Sequence, residues 1–275
     1  MTTPGRLAAT FAALRERGER ALMPYFTAGD PSLALTRRLV VEAARRGADI
    51  VELGVPFSDP LADGPVIQRA TQRALHAGVT LPRVLELARE LRGETAVPLV
   101  FLTYYNPILA FGLKAFCETA VESGVDGVIV ADLPPEESGP LRGEAHGAGL
   151  DVIHLVAPTS TPDRMRKIAR ASSGFLYMVS LTGVTGARAE LPADLQQHLR
   201  TLRGITTKPI CVGFGIGTPA QAAAVGQAAD GVIVGSAIVQ LVEQHAGRAD
   251  LVTKIGDFIA SLKEPLRSAG EESRA

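Results

Sequence analysis

Apolar residues gather into eight short runs: ALMPYF (21–26), DIVELG (49–54), VPLVFL (97–102), DGVIVA (126–131), DVIHLV (151–156), GFLYMV (174–179), KPICVG (208–213) and DGVIVG (230–235). Within them, apolar positions are not separated by a polar residue at every second place. That pattern predicts strands buried on both faces, as in a parallel sheet covered by helices. The runs recur at a mean spacing of about 30 residues, room for a strand and its crossover helix.

The intervals read as helices. In SLALTRRLVVEAARRG, Leu35, Leu39 and Ala43 fall on one stripe, with Ser32 as N-cap and Gly47 as stop. LPRVLELAREL (81–91) repeats the pattern, with Pro82 in the first turn. TPDRMRKIARAS offers Thr161 as cap, Pro162 at the first helical position and Gly174 beyond the end. Residues 4–18 predict one more helix before the first run.

An internal echo organises these units. DGVIVADLP from Asp126 and DGVIVGSAI from Asp230 share five identical residues in register, 104 positions apart. GADIVELGVP from Gly47 is a weaker third copy. The separation is close to four strand–helix units. The expectation is one α/β domain over residues 1–267, a (β/α)8 TIM barrel with an extra N-terminal helix. A tail, 268–275, is expected to be unstructured. The alternative, an open doubly wound sheet, would carry its phosphate glycines after the first strand; here they come late.

Composition narrows the function. A chain of 275 residues can bury about three-quarters of its unfolded surface in one core. Its 28 basic and 29 acidic residues nearly cancel, without the basic stripe of a nucleic-acid-binding face. No apolar run approaches the ~18 residues of a membrane span. The start, MTTPGRLAATFAALRERGER, lacks an apolar signal core, so a cytoplasmic location is expected. Cys117 and Cys211 lie far apart and read as small buried hydrophobes, and no metal site is expected. His154, inside an apolar run, reads as a satisfied core residue. Ser172, Ser173 and Ser236 lack the context of a serine hydrolase.

A barrel places its active site at the C-terminal ends of its strands. There the second run ends VELGVPFSDPLADGP. Glu52 is a carboxylate inside an apolar strand, costly unless it is paired, protonated or useful. The long loop after it carries Asp59 and Asp63. Asp beside Pro or Gly is ordinary turn chemistry, yet such a loop can fold back over the same mouth, and two carboxylates in different environments can take different protonation states. Late in the chain, Gly213 to Gly217 and Gly235-Ser236 fall in the two loops where barrels often bind phosphate.

VELGVPFSDPLADGP, YYNPI, VADLP, GVTGAR, CVGFGI and DGVIVGSAI, in this order, resemble the α subunit family of tryptophan synthase. The likeness runs from about Tyr25 to Ser236. It implies a lyase that cleaves indole-3-glycerol phosphate to indole and glyceraldehyde 3-phosphate, with Glu52 and Asp63 as the catalytic pair. By the same resemblance, Tyr25, Ile67, Leu102 and Ile129 form the indole pocket, and Tyr177 lies near the reacting glycerol. Thr185 and Gly186 belong to a closing loop. Gly186, Gly213, Phe214, Gly215, Gly235 and Ser236 surround the phosphate. The resemblance further implies a partner, a β subunit that carries PLP and receives indole within an α2β2 heterotetramer; this chain itself would hold no cofactor. Asp59, on the mouth, is the expected partner contact. Two other readings stay open: a self-sufficient indole-releasing lyase, and a catalytically silent barrel that docks on and activates a partner. More distant is another phosphate-binding barrel, such as a sugar-phosphate isomerase.

Overall fold

Every apolar run becomes a parallel strand in the computed structural model, which describes residues 5–179, 193–213 and 215–267. The strands are β1 (Ala21–Thr27), β2 (Val51–Gly54), β3 (Leu99–Thr103), β4 (Gly127–Val130), β5 (Asp151–Ile153), β6 (Leu155–Val156), β7 (Leu176–Val179), β8 (Ile210–Gly213) and β9 (Gly231–Val234). The first helices are α1 (Arg6–Arg17), α2 (Leu33–Arg45), α3 (Pro65–His76), α4 (Leu81–Arg92), α5 (Tyr105–Phe111) and α6 (Leu113–Glu122). The remainder are α7 (Gly139–Ala148), α8 (Pro162–Ala171), α9 (Ala193–Ile205), α10 (Pro219–Ala228), α11 (Ser236–His245) and α12 (Leu251–Arg267). The expected tail, 268–275, lies outside the described residues.

Cap chemistry follows the sequence. Ser32 accepts from the Leu35 amide at 3.2 Å and Thr161 from that of Arg164 at 3.3 Å. Gly47, just past α2, has φ +105°, which a side chain would resist.

One strand departs from expectation. DVIHLV forms two pieces rather than one. β5 pairs with β4 and β6 with β7, so the order β5-β4-β3-β2-β1-β9-β8-β7-β6 closes into a ring through the covalent run 151–156. The interruption has a local cause: the amides of Val152 and His154 donate to the hydroxyls of Ser173 and Ser172, each at 2.8 Å, instead of to strand carbonyls. His154 is buried, as expected, but not satisfied; its Nε2 has no partner among the described residues. Burial and the nearby Arg142 and Arg164 push its pKa down to about 4, so it stays neutral.

The absence of alternation is explained by two cores. Outward residues such as Leu22, Leu53, Phe101 and Val212 pack beneath the helices. Inward residues such as Met23, Val100, Ile129 and Ile233 fill the barrel, and Leu7, Phe11 and Leu14 of α1 plug its N-terminal end. The Phe11 and Phe175 rings lie 5.9 Å apart there. The C-terminal end is left for the site.

The sequence echo is structural. β4 and β9 both read Gly-Val-Ile-Val and stand four strand places apart, on opposite sides of the ring. The aspartates before β2, β4 and β9 do one job. Asp49, Asp126 and Asp230 accept from the amides of Leu22, Leu99 and Ile210, at 2.8, 2.9 and 2.8 Å. Each also meets a cation, respectively Lys263, Arg92 and Arg203. Lys263 is itself buried and donates to Arg20 O at 3.0 Å and Asp49 at 2.9 Å, with Glu19 also at 2.9 Å.

Candidate active site

Strand register builds the site. Tyr25 of β1 is the direct neighbour of Glu52 on β2, and Leu102 of β3 neighbours Gly54. All of these point inward at the C-terminal end. With them a cavity of about 290 Å³ opens, lined also by Asp63, Ile67, Tyr177, Gly215, Gly235 and Ser236. Nine of the residues singled out from the sequence therefore converge on one space.

Glu52 is 1% exposed, and its Oε2 has no partner among the described residues. Burial, followed by the charge of Asp63, pushes its pKa up to about 8. At neutral pH it carries a proton in an apolar wall. Asp63 reaches the same cavity from the loop before α3. That loop is braced by its own bonds: Asp63 N donates to Pro60 O at 3.1 Å, and Gln68 Nε2 to Asp63 O at 2.9 Å. Tyr104 supports it from below, its hydroxyl accepting from Ala62 N at 3.0 Å and its ring 5.3 Å from that of Phe57. Burial raises the Asp63 carboxyl to about 6, while a hydrogen bond from Tyr104 opposes the rise. Two carboxyls with different environments thus differ in protonation across neutral pH.

The phenols stay protonated, able both to donate and to accept a hydrogen bond. Burial raises both Tyr25 and Tyr177 well above the ordinary range. The Tyr25 hydroxyl lies 3.2 Å from that of Thr27. Both rings depend on strand-end glycines. A Cβ on Gly54 would fall 2.0 Å from the Tyr25 hydroxyl, and one on Gly213 would fall 2.4 Å from that of Tyr177. Gly213, expected at the phosphate, does not line the cavity; its missing side chain makes room for Tyr177. Ile129, expected in the indole pocket, neighbours Leu102 in register but belongs to the inner core rather than the cavity wall.

At the other rim, α11 begins at Ser236 behind Gly235 with no side-chain cap, whereas Thr218 caps α10. The amino end of α11, with Ser236 and Ala237 on the cavity wall, presents its first-turn amides and the positive end of its dipole to a ligand. Gly215, at φ +74°, takes the chain around the same rim. Thr185, Gly186 and Phe214 lie outside the described residues.

Asp59 is exposed, and its carboxylate accepts from Ser58 Oγ at 2.6 Å. Two residues on, Leu61 is 91% exposed, and Leu109 on α5 is 48% exposed, both at the barrel mouth. Gly217, the end of the glycine run read from the sequence, and Ile216 within that run also line the wall, whereas the sequence reading missed Gly64, Ile233, Ala237 and Gln240 there. Ala237 and Gln240 were within reach of it: they follow Ser236 by one and four residues on a helix that starts at the mouth.

Comparison with known proteins agrees with this geometry. The model of the family described as "Tryptophan synthase alpha chain" matches residues 11–265. The tryptophan synthase alpha chain of Geobacter sp. (strain M21) is 52% identical over 259 residues, covering 94% of this chain and 97% of the relative. That of Geobacter sulfurreducens is 51% identical, covering 95% and 98%. Among solved structures, tryptophan synthase subunit alpha from Legionella pneumophila str. Paris superposes with a TM-score of 0.88 at 37% identity, covering 98% of this chain and 100% of that one. A Pyrococcus furiosus chain, from a structure concerned with mutual activation of the tryptophan synthase α2β2 complex, gives 0.82 at 36%, covering 89% and 98%.

Proposed function

The chain belongs to the tryptophan synthase alpha chain family, and from that premise we propose how its own residues divide the work. The activity is retro-aldol cleavage of indole-3-glycerol phosphate to indole and glyceraldehyde 3-phosphate. The bond that breaks joins indole C3 to the adjacent hydroxyl-bearing carbon. C3 must gain a proton, and that hydroxyl must lose one.

Glu52 serves both transfers. Protonated at neutral pH, it gives its proton to C3 and makes the ring an electron sink. The resulting carboxylate takes the hydroxyl proton as the carbon–carbon pair returns to the ring and the new C=O forms. The group ends as it began, and no net proton is consumed. Its raised pKa, about 8, suits a proton exchanged near neutrality. Asp63, ionised above about 6, accepts the indole N–H and stabilises the positive ring. Tyr25, Ile67 and Leu102 hold the ring, with Ile129 behind them. Tyr177 faces the glycerol, and Gly215, Gly235 and Ser236 hold the phosphate at the amino end of α11. Thr185, Gly186 and Phe214 complete the site by family resemblance, and Gly213 serves it by leaving room for Tyr177. The observation that carries this reading is the convergence of two unlike carboxyls and an uncapped helix start on one cavity.

The same reading gives the chain a cytoplasmic location and a partner. No helix among the described residues is long and apolar enough to cross a membrane. The barrel mouth docks on a PLP-dependent β subunit in an α2β2 heterotetramer, and indole passes to it directly; the PLP is the partner's. Exposed Leu61, two residues from Asp59, and exposed Leu109 on α5 support this face as the contact.

The deciding experiment is indole release by purified chain from indole-3-glycerol phosphate, with and without a β subunit. Slow release alone and faster release with the partner are expected, and Glu52→Gln should abolish both. Turnover by a folded Glu52→Gln protein would remove Glu52 from the mechanism. Activity that does not change with the β subunit would favour the self-sufficient lyase.

A further inference from the structure

Ten residues beyond Asp63, on α3, the guanidinium of Arg73 meets acids from two other parts of the ring. Its Nε and Nη2 make a paired contact with both carboxylate oxygens of Asp30, at 2.7 and 2.9 Å. Asp30 is buried in the turn after β1, where its amide donates to Thr27 O at 3.1 Å. The remaining nitrogen of Arg73, Nη1, reaches Glu243 of α11 at 2.7 Å. One helical turn earlier, Nε and Nη2 of Arg69 hold the same carboxylate at 3.0 and 2.9 Å.

The placement of this network matters more than its energy. Isolated exposed ion pairs contribute little. Here, however, one planar fork spans three elements that all begin or end at the cavity. β1 carries Tyr25, α3 follows Asp63 directly, and α11 starts at Ser236. Glu243 lies two turns along α11 from the phosphate end. A bidentate guanidinium fixes orientation as well as distance. Arg69 first, and then Arg73, hold the Glu243 carboxyl well below the ordinary range. Positioning errors near 1 Å in a reacting group can cost on the order of 10² in rate.

We propose that Arg73 and Glu243 are positioning residues that lock α11 to α3 two helical turns from their cavity ends, holding the two helices in fixed register so that anchoring the substrate phosphate at the start of α11 sets Asp63, just before α3, against the indole ring. This rests on the roles given above to Asp63 and to the start of α11. Neither residue lines the cavity, so neither acts by touching substrate.

The test compares kcat and KM for indole-3-glycerol phosphate and for indoleglycerol lacking phosphate, in wild type, Glu243→Gln and Arg73→Lys. In wild type the phosphate should raise kcat/KM strongly. In both variants that advantage should shrink by about tenfold, the worth of one charge-assisted hydrogen bond, and the loss should fall on kcat more than KM because the phosphate still binds. A residue that only stabilises the fold would lower Tm and weaken both substrates alike; that outcome, in folded protein, overturns the lock. A wild type indifferent to phosphate would overturn the phosphate assignment itself, and the lock with it. Should Arg73→Lys fail to fold because Asp30 is buried, Glu243→Gln decides alone. It leaves the Arg73–Asp30 pair intact and replaces a partly exposed side chain.

Discussion

Tyr104 holds Asp63 in place and in charge. Its hydroxyl accepts the amide hydrogen of Ala62, the residue before Asp63, at 3.0 Å, and its hydrogen bond to the Asp63 carboxylate opposes the upward push of burial. Asp63 must be ionised to accept the indole N–H, so activity should rise with pH through about 6. Glu52 must carry its proton, so activity should fall through about 8. A bell-shaped kcat/KM profile with flanks near these values is expected. Tyr104→Phe should move the acid flank to higher pH and leave the basic one in place. An acid flank that ignores this substitution belongs to another group.

Glu52 also costs stability, with a definite sign. Its folded pKa, about 8, lies above its usual 4.5, so the folded state holds the proton more tightly. Stability contributed by the protonated form is full below about 4.5 and is lost as pH rises toward about 8. Glu52→Gln removes that loss. Urea denaturation should find the variant about as stable as wild type near pH 5 and more stable by a few kcal/mol near pH 8. A difference that stays constant across this range would mean that Glu52 is not held protonated.

The glycines of the mouth should separate into two kinds. A Cβ at Gly54 or Gly213 drives into a tyrosine ring, so Gly54→Ala and Gly213→Ala should displace Tyr25 or Tyr177 and lower kcat/KM by roughly 10-fold or more. A Cβ at Gly235 meets Tyr25 only at 3.7 Å, an ordinary contact. Gly235→Val should therefore fold normally and raise KM for the phosphorylated substrate. Unchanged KM there would exclude Gly235 from the phosphate site.

Far from the mouth, Lys263 is the shared partner of Asp49 and Glu19. Lys263→Met strands a largely buried carboxylate and should cost about 3–5 kcal/mol in chemical denaturation, with kcat little changed in the folded fraction. A loss below about 1 kcal/mol would show that Asp49 finds other partners.

Asp59 tests the outer face of the catalytic loop. Asp59→Ala should weaken activation by the β subunit and spare slow cleavage by the isolated chain, whereas Asp63→Asn should abolish cleavage and still bind the partner. If Asp59 serves only its turn with Ser58, its loss would lower Tm and leave activation at the wild-type level.

The barrel was legible because burial on both faces of each strand writes unbroken apolar runs, and because turn glycines and caps fall between them. Glu52 was legible for a related reason: a carboxylate in such a run has no structural excuse. Contacts between distant elements were not. Nothing in the spacing announces that Tyr104 supports Asp63, that Gly213 yields to Tyr177, or that Asp30, Arg73 and Glu243 meet. Nor could the run 151–156 show its break, since that depends on two serine hydroxyls from the next unit taking the place of strand carbonyls.

The ring has a strong join and a weak one. β1 and β9 meet through four paired residues, while the 151–156 run spends two amides on side chains. The proposed acid–base groups stand on the β2 side of the strong join, and the phosphate turns on the β8–β9 side. A substrate that reaches from Glu52 to Ser236 therefore bridges that join like a cross-brace, adding nothing at the seam. In hydrogen exchange, ligand should slow the amides of β1 and β9 and leave those of β5 and β6 near their free rates, so that whatever opening the loaded barrel permits is directed to the side away from the chemistry.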